Sequence, residues 1–115
     1  MKRDMTLIRE ILLSIEDNDK ILPIDGFTPD SIESHAKLLI EAQLIERLSF
    51  GIGGHFATTT KLTWSGHEFI DSIREEHVWD TIKTDFKEAG MSTITKVAKD
   101  LADSYIKRKI EAITG

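Results

Sequence analysis

Three observations predict a mostly α-helical fold with a small antiparallel β-sheet (α+β). Apolar residues recur at helical spacing in four segments, proline and glycine punctuate the boundaries, and one glycine-rich turn separates two strand-like runs. The length of 115 residues suits one domain spanning residues 1–115, with a core over 4–75 and a C-terminal helical extension over 76–113.

The first helix is expected to open at Asp4, whose carboxylate can accept from the unpaired N–H groups of a first turn. Met5, Ile8, Ile11, Leu12 and Ile15 then share one face, and the pattern ends around Asp17-Asn18. Ile21-Leu22-Pro23-Ile24 reads as a short edge strand, because proline cannot donate to a central ladder. After the Asp25-Gly26 turn, Thr28-Pro29-Asp30 combines a hydroxyl cap, proline at the first helical position and an acid at the positive helix end. That helix is expected to run to about Gln43. It buries Ile32, Ala36, Leu39, Ala42 and Gln43, keeps His35 and Ile40 at the margins, and turns Asp30, Glu33, Ser34, Lys37 and Glu41 to solvent.

From Leu44 to Phe50 polar and apolar residues roughly alternate, Gly51-Ile52-Gly53-Gly54 can turn, and His55 to Leu62 is rich in threonine, so a β-hairpin is predicted. Thr63 can cap the next helix. Its apolar positions Phe69, Ile70 and Ile73 shift phase to Val78, Trp79, Ile82 and Phe86, which predicts a kink or break near Glu76 and an end at Gly90. The last helix is expected to open at Ser92 and to carry Ile94, Val97, Ala98, Leu101, Tyr105, Ile106, Ile110 and Ile113 as a broad apolar stripe. Trp64 and Trp79 could form an interaction surface, but aromatics at helix starts and along apolar stripes are usually core, and they are read so.

The order helix, short strand, helix, hairpin, helix is that of a winged helix with additional C-terminal helices. The helix before the hairpin would occupy the recognition position and the hairpin would be the wing. Only Asp25 to Thr28 stand where a standard helix-turn-helix has another helix, so the motif would be degenerate.

Composition excludes several functions. There is no cysteine, and hence neither disulfide, thiolate metal site nor cysteine nucleophile. His35, His55, His67 and His77 show no metal-ligand spacing, and no cofactor is expected. Ser65, His67 and Glu68 lie close in sequence, but helical neighbours diverge by about 100° and no third orienting group is evident, so catalysis is not expected. The N-terminus is neither a signal peptide nor a membrane span, and a cytoplasmic location without membrane association is expected. Net charge is −5, whereas proteins that follow phosphate backbones usually carry a basic patch. Positive charge collects at residues 47–63, with two basic and no acidic residues, and at 91–115, with five basic against three acidic.

Three stretches, MKRDMTLIREILLSIE at 1–16, HAKLLIEAQLIE at 35–46 and LTWSGHEFIDSIREEHVWDTIK at 62–83, resemble a family of small bacterial and phage proteins known as domain of unknown function 2513. The resemblance implies a winged-helix-like fold and an accessory role in phages, prophages or other mobile elements, with no established activity. The second stretch is also similar to the winged-helix segment where Glu-Ala-Gly-Leu-Ile turns from helix into wing. Gln43 replaces that glycine, so the left-handed exit is either adopted by a non-glycine residue or shifted. Leu62-Thr63-Trp64-Ser65-Gly66 is similar to the Leu-Thr-x-x-Gly that follows many wings.

Two functions are then open, of which the first, for an accessory protein of a phage or mobile element, leads. The first is a non-enzymatic DNA-binding or regulatory module that contacts double-stranded DNA through Ser34, Lys37, Arg47, His55 and Lys61. The second is an acidic protein-interaction module that does not bind DNA and whose partner is a second copy or a host or phage protein. Tyr105, Ile106, Ile110 and Ile113 would form the stripe for a homodimer or partner. The acids on the helix before the hairpin favour the second function, and the basic hairpin favours the first.

Overall fold

The computed structural model describes residues 2–114, apart from the side chains of Phe50, Ile52, His55, Phe56 and Ala57. It is mostly helical with one two-stranded antiparallel sheet. The elements in chain order are α1 (Met5–Asn18), α2 (Pro29–Glu41), β1 (Ile45–Ile52), β2 (His55–Leu62), α3 (Trp64–Ile73), α4 (Glu76–Asp85) and α5 (Met91–Thr114). They group into two compact units, residues 1–67 and 68–115, so that α3 begins in one and ends in the other.

In the first unit α1 packs on α2 and β2, and α2 packs on β1. Helix α1 starts because the Asp4 carboxylate accepts from Thr6 and Leu7 N–H, at 2.9 and 3.2 Å. It buries Met5, Leu7, Ile8, Ile11, Leu12 and Ile15 and stops where Asp19 turns left-handed, at φ 55°. Helix α2 starts on Thr28, whose hydroxyl accepts from Ser31 N–H, with Pro29 at the first position.

The edge strand expected at Ile21-Leu22-Pro23-Ile24 does not form. The Ser14 hydroxyl donates to Lys20 O and accepts from Leu22 N–H, and Pro23 has no N–H to offer. Those main-chain groups are therefore drawn toward α1 rather than into a ladder. Asp19, just before this segment, reaches the sheet, its carbonyl accepting from Thr60 N–H at 3.0 Å and from the Thr59 hydroxyl at 3.1 Å.

The hairpin is longer and its turn tighter than the sequence suggests. Gly51 and Ile52 stay in β1, paired with Phe56 and His55, and the turn is Gly53-Gly54 alone. Their φ angles of 59° and 82° match the positive pair of a type I′ turn, whose twist suits a two-residue hairpin.

Near Glu76 the helix breaks as the phase shift predicts. Glu75 caps α4 by accepting from Val78 N–H at 2.9 Å. Helix α4 ends at Asp85 rather than Gly90, because Phe86 leaves helical geometry and Ala89 N–H closes a turn onto Phe86 O. Gly90 instead precedes α5, where its carbonyl accepts from Ile94 N–H. Helices α4 and α5 pack together, and Val78, Trp79 and Ile82 of α4 and Met91, Ile94 and Ala98 of α5 are buried. The rest of the broad α5 stripe is half-buried or exposed. Among the described residues no helix is long and apolar enough to cross a membrane.

Candidate functional site

Helix α2 leaves through a complete Schellman motif. Gln43 N–H donates to Ile40 O and Leu44 N–H to Leu39 O, each at 3.0 Å, and Gln43 adopts φ 62°. The left-handed exit is thus taken by glutamine where glycine would sit without strain. The buried pair Leu39 and Leu44 supplies the apolar contact that accompanies such a motif. Immediately after the hairpin, the Thr63 hydroxyl donates to Gln43 O at 2.6 Å and accepts from Gly66 N–H at 3.0 Å, while Thr63 N–H donates to Leu44 O. One threonine therefore caps α3 and ties it to the end of α2. A Cβ on Gly66 would collide with the Leu44 carbonyl oxygen, which explains why glycine stands there.

His35, expected at the margin of α2, is fully buried. Its Nδ1 lies 2.8 Å from Ser31 O and its Nε2 accepts from Asp4 N–H at 2.9 Å. Both contacts are satisfied by a single tautomer, with the proton on Nδ1. The ring joins the starts of α1 and α2, a structural role. Ala42 is half-buried and Gln43 exposed, so the buried face of α2 is narrower than expected because the helix ends at Glu41.

The five residues expected to contact DNA do not form one surface. Ser34 is half-buried and Lys37 exposed on α2. Arg47 makes a bidentate ion pair with Glu33 of α2, at 2.7 and 2.9 Å. Pairing runs Arg47 to Thr60 and Glu46 to Lys61, so Arg47 and Lys61 project from opposite faces of the ribbon. The His55 side chain lies outside the described residues. Glu33 is held below its ordinary value of 4.5, chiefly by the hydrogen bond from Arg47, against a smaller opposing effect of burial and with further help from the charges of Arg47 and Lys37. Arg47 is raised by the same bond.

Two features escaped the sequence reading. Trp64, expected in the core, is 81% exposed at the first position of α3. Helical spacing could not place it, since an aromatic at a helix start can face either way. The second is a groove of about 530 Å³ lined by Leu22, Pro23, Ile24, Phe27 and Ile32, which reaches the Glu33–Arg47 pair. It exists because residues 21–24 run as an irregular segment instead of a strand.

The C-terminal stripe also divides. Ile106, Ile110 and Ile113 are 54%, 55% and 83% exposed, whereas Tyr105 is half-buried and lines a groove beside α4. Glu68 pairs with Lys99 at 4.0 Å, and His67 is exposed. Among the described residues no group of three or more His, Cys, Asp or Glu side chains could hold a metal ion.

The chain belongs to the family described as hypothetical protein (DUF2513), whose model matches residues 2–92. It is similar to an uncharacterized protein of Haemophilus influenzae (strain ATCC 51907 / DSM 11121 / KW20 / Rd), 35% identical over 118 residues that cover 96% of this chain and 99% of the relative. No solved structure matches it. Neither description states an activity, so a reading of function rests on the geometry.

Proposed function

We propose that residues 1–67 form a degenerate winged helix that serves as a non-enzymatic protein-interaction module and does not read DNA. The succession of α1, α2, hairpin and α3 supports the winged-helix relation. One observation carries the functional reading: Arg47 is committed to Glu33 and lies on the opposite ribbon face from Lys61. A protein that follows DNA needs several cations on one side, because its affinity comes largely from releasing counterions at the phosphates it neutralises. Here the hairpin offers a single lysine, Lys61, on one face, and α2 turns Asp30, Glu41 and the paired Glu33 outward. The exposed indole of Trp64 and the apolar groove at Leu22 to Ile32 supply contact area of the kind protein interfaces use.

The test is titration of a mixed duplex DNA pool at low and moderate salt, with Arg47→Glu and Lys61→Glu in parallel. Absence of salt-sensitive binding at low salt is expected. Salt-sensitive binding that Lys61→Glu abolishes would overturn the reading.

A second reading, a DNA-binding accessory protein of a phage or mobile element, is favoured by the exposed Lys37 and Lys61 and by the hairpin itself, a shape that fits a groove. On that reading Lys61 and Lys37 are the contacts and Arg47 is structural. Under either reading the exposed Ile106, Ile110 and Ile113 are the residues that self-association would cover, and the protein works in the cytoplasm.

A further inference from the structure

Helices α4 and α5 pack along a seam in which the α5 positions follow heptad spacing. Met91, Ile94 and Ala98 are buried, and the same alternation of three and four residues continues through Leu101, Tyr105, Arg108 and Ala112. Helix α4 has 10 residues and α5 has 24, so the seam outruns its cover. At the point where α4 begins, a groove of about 610 Å³ opens, lined by the apolar Val78, Leu101 and Ala112 together with Tyr105, Arg108 and Lys109. From Leu101 to Ala112 it follows α5 for roughly 16 Å, long enough for a few helical turns of another chain.

The charge of this groove is opposite to that of the whole protein. Arg108 and Lys109 face it, and Lys109 Nζ sits over the Tyr105 ring at 5.3 Å, which keeps the ammonium on the groove wall. Of its other titratable residues, His77 is exposed, and Glu75 is the sole acid, its carboxylate already engaged by Val78 N–H. The acids of the α5 overhang, Asp103 and Glu111, do not line the groove. The start of α4 is therefore already capped, and attraction for an anion comes from the two α5 cations.

We propose that this groove receives an acidic amphipathic helix of a partner protein, laid along α5 beyond the start of α4. Apolar residues of the partner continue the seam over Leu101 and Tyr105, and its carboxylates pair with Arg108 and Lys109. The proposal rests on the protein-interaction reading and names the partner chemistry at a site of its own, so the DNA titration of Arg47 and Lys61 variants fails or succeeds separately.

The probe is a fluorescent glutamate–leucine amphipathic peptide of about 18 residues, long enough to be helical, with its lysine–leucine counterpart as control. Both are titrated against the full chain at low salt. The glutamate peptide is expected to bind at least about 10-fold more tightly than the lysine peptide, and Arg108→Glu with Lys109→Glu is expected to reverse the preference. Both side chains are exposed, and circular dichroism of the variant checks its fold. Three results overturn the proposal: no binding of the glutamate peptide, binding indifferent to the two substitutions, or Arg108-dependent binding of duplex DNA without binding of the peptide. A fourth does so as well. If light scattering shows the unmodified chain self-associating and the double variant monomeric, the occupant is a second copy of this chain.

Discussion

Gly66 and Gln43 sit at the two ends of one small corner, and they predict opposite outcomes for the exchange of glycine with a side chain. Gly66 lies inside α3, where alanine would ordinarily raise helix stability by roughly 0.5–1 kcal/mol. The Leu44 carbonyl blocks its Cβ position, so Gly66→Ala is expected to destabilise by about 2–3 kcal/mol, measured as a lower urea midpoint. An unchanged midpoint would show that the corner relaxes freely. Gln43→Gly removes left-handed strain of about 1–2 kcal/mol, offset in part by the freer unfolded chain. A net gain of about 0.5–1 kcal/mol is expected, and a loss would mean the glutamine side chain contributes something its backbone does not. The sequence exposed half of this corner. A missing glycine at 43 was visible as a departure from a pattern, but the reason for Gly66 is a contact with a residue 22 positions earlier, which no local rule reaches.

At the scale of elements, the Glu33–Arg47 pair joins α2 to β1, and both side chains are partly exposed, at 47% and 32%. Screening by solvent limits such a pair, so a double-mutant cycle with Glu33→Gln and Arg47→Gln should give a coupling of about 0.5–1 kcal/mol that shrinks with salt. Its pH dependence follows from the direction of the shift. Glu33 is depressed in the folded state, chiefly by the Arg47 hydrogen bond, so the contribution is fully present above the ordinary value of 4.5 and is lost as pH falls through the lower folded value. Arg47 stays charged throughout. The difference in urea midpoint between parent and Glu33→Gln should therefore be present near neutrality and should narrow as the pH falls below 4.5; a constant difference would argue against the pair. The helix caps, the break near Glu76 and the existence of the hairpin were legible because each is set by neighbours within a few residues, whereas α2 and α4 end earlier than their apolar patterns suggest. The edge strand at 21–24 was misread because Ser14, on the preceding helix, takes the main-chain groups that a ladder would have used.

For the whole molecule, the exposed line of Ile106, Ile110 and Ile113 yields a prediction about both stability and assembly. Replacing all three with glutamine should leave the unfolding midpoint within about 0.5 kcal/mol of the parent, since exposed side chains contribute little. If the parent is a dimer by light scattering, the same variant should be a monomer; a dimer that survives would place the interface elsewhere. By itself the sequence determined the helices and the hairpin, the caps at Asp4, Thr28 and Thr63, the break near Glu76 and membership of the family, all carried by local periodicity and recurring motifs. Only the tertiary structure decided which charges act together. It gave Arg47 to Glu33, put Lys61 on the other face, exposed Trp64, buried His35 and separated Tyr105 from the isoleucines beyond it. The physical reason is that the hydrogen bonds and ion pairs that settle a side chain's role are made across segments far apart in the chain, while periodicity fixes only which way a residue points along its own element.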